Sequence, residues 1–374
     1  MNPTSPTAAA PSRQVPFVST PIDFLAIGGI SILHYFIFLW FRPAISQLAA
    51  PFEQMLGISL SAGAMAAYLT WVINHPHFSA TSARLYRSRQ TIMQFPITAL
   101  VVPMVVLSLA LLAMIAPSLV APWFIKLFLF WSSYHFSAQT LGISLLYARR
   151  AGLNIDGLAR RALSVFIFSS FLAPMLRAES YLTPTKYYDI TMPLLGLSPM
   201  VWPFFKAIML ISGVLAFILL LRAALRQNKQ LPLLVLLPAT TQFVWFIPGA
   251  GLQGFSEFVP AYHSLQYLFI AWLMQLKEKQ AEQQITPSRR YVTKESLRWL
   301  CINIAGGIFL FWVLPKGGQA LGFSTTPFQT WGIVIAAVQI HHFFVDGVIW
   351  KLKNPQVGQP LMTSFGELSG KAAA

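Results

Sequence analysis

Cysteine is nearly missing from this chain: Cys301 is the only one in 374 residues. A single thiol excludes an internal disulfide, a thiolate metal cluster and an iron–sulfur centre. Charge is scarce too, at 10% Asp, Glu, Lys and Arg against 56% hydrophobic residues, with a mean hydropathy of +0.60. A soluble domain of this size needs a hydrated, charged surface, and this composition cannot supply one. Acidic residues are the scarcest charged class, 11 against 26 Lys and Arg. No Cys-x-x-Cys-His segment for covalent haem attachment is present, and no internal repeat is evident.

Long apolar runs are what the chain has in quantity. Stretches such as 99–116, 201–221 and 299–314 carry one charge or none, and each approaches the roughly 20 residues that cross a hydrocarbon core as helix. The fold class expected is all-α, a polytopic membrane helix bundle. Ten spans are expected, at about 22–41, 58–78, 93–116, 121–147, 162–177, 200–222, 231–249, 258–276, 297–315 and 327–350. The fifth and seventh are short enough to be re-entrant or broken.

The net charge of +15 is placed as topology. Basic residues cluster at Arg84–Arg89, Arg149–Arg161, Arg222–Lys229, Lys277–Arg298 and Lys351–Lys353, while the intervening connections are poor in them. Ten spans put all five clusters on one side, the positive-inside pattern, with both termini cytoplasmic. The charge therefore reads as contact with anionic membrane lipids, and nucleic acid is not an expected partner. An integral protein of a bacterial inner membrane is the expected location. Residues 1–20 are rich in Pro, Ser, Thr and Ala and are expected to be a disordered cytoplasmic tail, not a cleaved signal peptide. A transmembrane domain over 21–353 and a second cytoplasmic tail over 354–374 complete the expected organisation.

All seven histidines, His34, His75, His77, His135, His263, His341 and His342, lie in or beside apolar runs, spread over five expected spans. An ionisable side chain at membrane depth is costly unless paired or ligated, and marks function by default. At about 1.5 Å per residue, their depths allow one cluster. His34 and His135 fall near mid-span, His341 and His342 slightly beyond the middle, and His263 in the outer half. His75 and His77 fall near an inner end, where Pro76 should kink the helix. The candidate metal ligands are His34, His77, His135, His263, His341 and His342, with His77 preferred to His75.

Three of these have a polar residue four positions on, one helical turn away on the same face: His135 has Gln139, His263 has Tyr267 and His342 has Asp346. Such partners orient a ligating imidazole or ligate beside it. Asp346, Tyr262 and Tyr267 are the candidate catalytic groups. Bland readings stand beside these. His34 lacks a polar neighbour at i+4 and is equally a structural residue, intramembrane histidines serve as glue between helices, and Asp346 is also an ion-pair candidate. The side chains of His341 and His342 diverge by about 100° around a helix, so both reach one centre only if it is close or binuclear.

Imidazoles with few carboxylates and no thiolate suit iron, copper or zinc. Non-haem iron is the first expectation, and haem held between two histidines is the alternative cofactor. The segment Tyr262-His263-Ser264-Leu265-Gln266-Tyr267 resembles the Trp-His-Ser-type segment of the Brp/Blh family of membrane carotene-cleaving oxygenases. It covers six residues; Tyr267 stands where that family carries a second histidine, and the family's His-Gly motif is absent. Membrane desaturases and hydroxylases share the abundance of histidine, but this chain has only HPH and HH in place of their HxxxH and HxxHH boxes. The resemblance is to a chemical type. Iron held by histidines in a membrane interior suits O₂ chemistry on substrates that share the lipid phase. The first expected function is therefore a non-haem iron oxidase, hydroxylase or oxygenase acting on a lipid-soluble small molecule, with the basic segments able to dock an acidic electron-donor protein. Two other functions use the same residues. One is a proton-coupled transporter with His, Asp346 and Glu257 as relay; the other is a haem-binding electron-transfer or assembly protein.

Overall fold

The computed structural model describes residues 15–181, 184–351 and 355–370. Among them the chain is an all-α bundle of ten long helical stretches, each coinciding with an expected span. They are α1 (Thr20–Phe24 continuing through a π turn at Leu25–Gly29 into Ile30–Leu56), α2 (Ala62–Leu69 continuing through a π turn at Thr70–Asn74 into His75–Tyr86), α3 (Ile97–Ile115), α4 (Ala121–Arg150) and α5 (Gly157–Ala178). After these come α6 (Val201–Arg226), α7 (Leu233–Phe246), α8 (Val259–Glu282), α9 (Arg289–Ala320) and α10 (Pro327–Ile349). Seven helices are long and apolar enough to cross a membrane; α2, α4 and α8 are not among them. Large apolar side chains are exposed around the bundle, on α6 at Phe204, Ile211, Val214 and Ile218 and on α9 at Leu297, Phe309 and Trp312. An apolar belt of that extent is stable only against lipid. The one strand pair is a two-residue hairpin, Lys186–Tyr187 with Ile190–Thr191.

Proline sets where the helices depart from α geometry. π turns at Thr70–Asn74, Ile97–Val101 and Phe309–Val313 each end two residues before a proline, at Pro76, Pro103 and Pro315. A proline offers no N–H to the carbonyl four residues back, so one hydrogen bond is lost and the turn widens. In lipid the freed carbonyl needs a donor. For Pro103 that carbonyl belongs to Ala99, and it accepts from the Tyr86 hydroxyl at 2.9 Å. A further π turn, Leu25–Gly29, is served in the same way: Ile27 C=O accepts from Gln266 Nε2 and Gly28 C=O from the Ser31 hydroxyl. The expectation that α2 ends just past His77 is corrected here. The π turn absorbs Pro76 and the helix continues to Tyr86, which leaves His77 nine residues from its end. Gly307 of α9 lies so close to the His75 backbone that an added Cβ would stand 2.9 Å from its carbonyl carbon, and this contact sets the helix beside its neighbour. The seventh stretch does break, at Phe246, before a 3-10 turn at Gly249–Gly251; the fifth is continuous over 22 residues.

The helices alternate in direction. At one face Arg84 at the end of α2 pairs with Glu278 near the end of α8 at 2.6 Å, and its guanidinium lies 5.1 Å from the Trp350 ring just past α10. There too the residues after α6 meet those after α4, Gln227 with Asn154 and Lys229 with Gly152. All five even-numbered helices therefore end at this face, where their negative dipole ends meet the basic residues. Both ends of the described chain are tied there as well, and this corrects the expected tail boundaries. Arg150, 2% exposed, donates to the carbonyls of Val15, Pro16, Leu361 and Thr363 and stacks on Phe17. Phe365 N–H donates to Phe17 C=O. Buried Asp23 accepts from the N–H groups of Phe17 and Val18 and from the Tyr147 hydroxyl. Residues 15–20 and 355–369 thus form a packed cap, with Phe17, Leu361 and Leu368 in its core. The rest of the expected tails, 1–14, 354 and 371–374, lies outside the described residues.

Arg150→Met leaves the carbonyls of Val15, Pro16, Leu361 and Thr363 without their cationic donor. It should lower stability by about 3 kcal/mol or more and expose the segment after Lys351 to proteolysis, read by limited digestion and thermal melting. The positive-inside rule gives the expectation that this face is cytoplasmic. Reporter fusions after Lys353 and within 277–294 should both report cytoplasm, and an external signal at either overturns the orientation.

Candidate metal centre

α2, α4, α8 and α10 adjoin in the bundle interior and bring their polar residues together. One ligand atom from each of His77, His135, His342 and Asp346 lies within 4.8 Å of every other. His135 is the hub: its Nε2 stands 3.3 Å from His342 Nε2, 3.1 Å from His263 Nε2 and 3.9 Å from Asp346 Oδ2. Asp346 Oδ2 is also 3.3 Å from His342 Nε2, one helical turn back. With bonds of about 2.0–2.1 Å, ligand atoms around a four- to six-coordinate ion stand about 3.0–3.4 Å apart. The His135–His263, His135–His342 and His342–Asp346 separations fall at those values, and His135–Asp346 is wider at 3.9 Å. In the absence of a cation the three imidazoles share at most one three-centre hydrogen bond, whereas a cation pairs every lone pair that faces it.

The surrounding side chains fix which atoms face inward. His77 Nδ1 meets the Ser264 hydroxyl at 2.8 Å, and Ser264 donates its only proton to Asn74 Oδ1 at 2.7 Å. Ser264 can therefore only accept from His77, which places the proton on Nδ1. The buried Nε2 has no protein partner and keeps its lone pair. Asn74 closes the π turn of α2, so that distortion positions both His77 and its support. On the far side Thr81 hydrogen-bonds Asp346 Oδ1 and the Tyr267 hydroxyl, at 3.1 and 2.5 Å. Tyr267 stacks on His77 with ring centroids 4.1 Å apart. Asp346 Oδ1 is held while Oδ2 faces the imidazoles, the arrangement that orients a ligating carboxylate.

Three sequence expectations are corrected. His34 lies apart from the cluster, its Nδ1 against the Tyr262 hydroxyl and its ring packed edge-on to Phe38 and Phe258; this pairing removes Tyr262 from the site as well. His341 turns away as the 100° divergence requires, with Nε2 3.2 Å from Tyr86 Oη. His75, set aside in favour of His77, stacks on Phe311. Of the three along-helix pairs only His342–Asp346 forms. Gln139 donates to the His263 carbonyl, and Tyr267 serves His77 and not His263. Asn74, Thr81 and Ser264 were missed. As small polar residues they carry no signal until the helices are assembled, although Asn74 and Thr81 stand within four residues of His77.

The cluster opens on one side. A cavity of about 260 Å³ reaches His135, Asp346 and Tyr267 and continues between α4, α8 and α10 past Ile143, Leu146, Ile270 and Phe343. Glu257, the other relay candidate, packs against Gly63 on α2, away from the cluster. No known protein family, curated protein or solved structure matches the chain, so its chemistry is argued from this geometry.

His77→Ala, His342→Ala and Asp346→Ala should each abolish stoichiometric metal in the purified protein, measured by elemental analysis. Ser264→Ala, which frees the His77 tautomer, should weaken metal affinity about 10–100-fold. His34→Ala and His341→Ala should retain full metal content.

Proposed function

We propose that this protein is a membrane-embedded metalloenzyme, a non-haem iron oxidase, hydroxylase or oxygenase acting on a lipid-soluble substrate. The observation that carries the reading is the convergence of three buried imidazoles and one partly buried carboxylate where a largely apolar cavity reaches them. Histidines with a carboxylate and room for another ligand are the donor set of non-haem iron oxygenases. A zinc hydrolase could use the same donors, but an apolar cavity with Tyr267 beside the ligands suits oxidation of an unactivated chain better than hydrolysis. Haem is disfavoured: nitrogens 3.1 and 3.3 Å apart leave no room for a porphyrin between them. The ion would supply the redox chemistry with O₂. The protein's own contribution is to hold the ligands, exclude water and admit an apolar substrate from the lipid phase.

Such a reaction needs an electron source. The basic face, with Arg84 and Arg87 bridged through Glu278 and Glu282 and Lys277 and Lys351 nearby, would dock an acidic donor protein. A proton-coupled carrier would extend its polar relay across the bundle, and Glu257 does not continue the line from Asp346.

Elemental analysis and an absorption spectrum of the purified protein test the reading. About one iron per chain without a Soret band is expected, lost in His342→Ala. A Soret band, zinc in place of iron, or a protein free of metal that binds none on titration would each overturn it.

A further inference from the structure

The cavity beside the cluster has two chemically different ends. One end is the ligand set, at His135, Asp346 and Tyr267; the other is bounded by Lys351 and Leu361 at the basic face. Between them the lining is apolar except for Gln139, with two glycines, Gly142 on α4 and Gly347 on α10. A Cβ built on either meets nothing within 4 Å, so the free space continues up to both backbones. Along α4 the lining runs from His135 to Leu146, eleven residues or about 16 Å. A volume of about 260 Å³ drawn out over that length is a narrow slot for one extended chain. Lys351 is exposed at its end, at the membrane surface, where a cation is cheap to hold and attracts an anion.

We propose that the cavity binds a single-chain amphiphile with an anionic head group, head at Lys351 and chain directed at the His/Asp cluster. This deepens the metalloenzyme reading by naming its substrate class, and it rests on that reading only for what happens to the chain after binding. The cluster lies between about 7 Å from Lys351, counted along α10, and about 16 Å from Leu146, counted along α4. An extended chain advances about 1.2 Å per bond, so the carbon presented to the cluster is roughly six to thirteen bonds from the head. Mid-chain or chain-end positions of a medium to long acyl chain meet that requirement. Tyr134, 59% exposed and also in the lining, marks where the slot meets lipid between α4 and α10 and gives a chain lateral entry.

Equilibrium binding of radiolabelled dodecanoate and dodecanol to the full-length protein in neutral phosphatidylcholine nanodiscs tests this. Metal content is measured on every sample, and the titration is repeated after chelation. Dodecanoate should bind saturably and more tightly than dodecanol, with or without metal. Gly142→Leu should weaken both at least tenfold by filling the slot, and Gly347→Leu, from the other helix, should do the same if the first variant fails to fold. Lys351→Gln should weaken dodecanoate several-fold and leave dodecanol unchanged. Unchanged binding in a folded, metal-replete Gly142→Leu or Gly347→Leu protein overturns the cavity assignment. Equal affinity for acid and alcohol with a silent Lys351→Gln overturns the anionic head. A protein that binds dodecanoate as described but takes up no metal keeps this assignment and fails the metalloenzyme reading instead.

Discussion

The bundle is organised around the cost of holding three imidazoles and a carboxylate where no water competes for them. A polar group in that position costs several kcal/mol unless it finds a partner. Each of these residues has one on at least one atom, and among the described residues His77 Nε2 and His342 Nδ1 are left without one. Asp346 has Thr81 on one oxygen and two imidazoles on the other; His77 has Ser264, which has Asn74. The partners come from α2, α8 and α10, so no subset of the helices satisfies the cluster alone. Only the assembled group brings these partners together, and that makes the helix arrangement specific where apolar packing in lipid would not.

That requirement explains the distribution of polarity. α4 buries Ser132, Ser133, Ser137, Thr140 and Ser144 along with His135, and α8 buries Ser264 and Gln266 along with His263. Such helices are expensive against lipid and stable inside a jacket. α6 and α9, with apolar side chains turned outward, supply part of it. Polar side chains also satisfy the backbone where π turns break the ladder, as Gln266 does for Ile27 and Tyr86 for Ala99. The inward-facing polar residues therefore serve the site and the irregular backbone together.

The same distribution governs what the sequence discloses. The jacket helices are legible as long apolar runs, and the basic clusters give the alternation of the helices, so the architecture follows from composition and spacing. The helices α2, α4 and α8 are less apolar than the jacket because they bury the polar residues of the cluster and its supports. Histidine in an apolar setting was the signal that found His77, His135 and His342 of the cluster, and His263 beside it. It also drew in His34 and His341, since an imidazole satisfied by one tyrosine has the same local sequence as one aimed at a cluster. The spacing rule at i+4 succeeded for Asp346 and failed for Gln139 and Tyr267, because a helix face shared by two residues need not be a contact between them. Asn74, Thr81 and Ser264 act across helices, and nothing in a single stretch distinguishes them from other small polar residues. The ends of the chain misled for a similar reason: residues 15–20 read as a tail in composition, yet Arg150 holds them by their carbonyls, which every sequence has.

Parity links the site to the face on which it opens. Consecutive helices alternate in direction, and the four that carry the cluster, α2, α4, α8 and α10, are all even-numbered and run parallel. Their carboxyl ends, with dipoles that favour cations, gather at one face and carry Arg84, Arg150, Lys277 and Lys351. A slot that descends between such helices starts among positive charges and ends among imidazoles and one carboxylate. A site built from helices of mixed direction would lack that gradient, because half of its basic ends would lie on the opposite face. The polarity of the slot is therefore a consequence of which helices supply the ligands. It orients an amphiphile before any contact with the cluster is made, since a head group drawn to Lys351 leaves only the chain to reach His135 and Asp346.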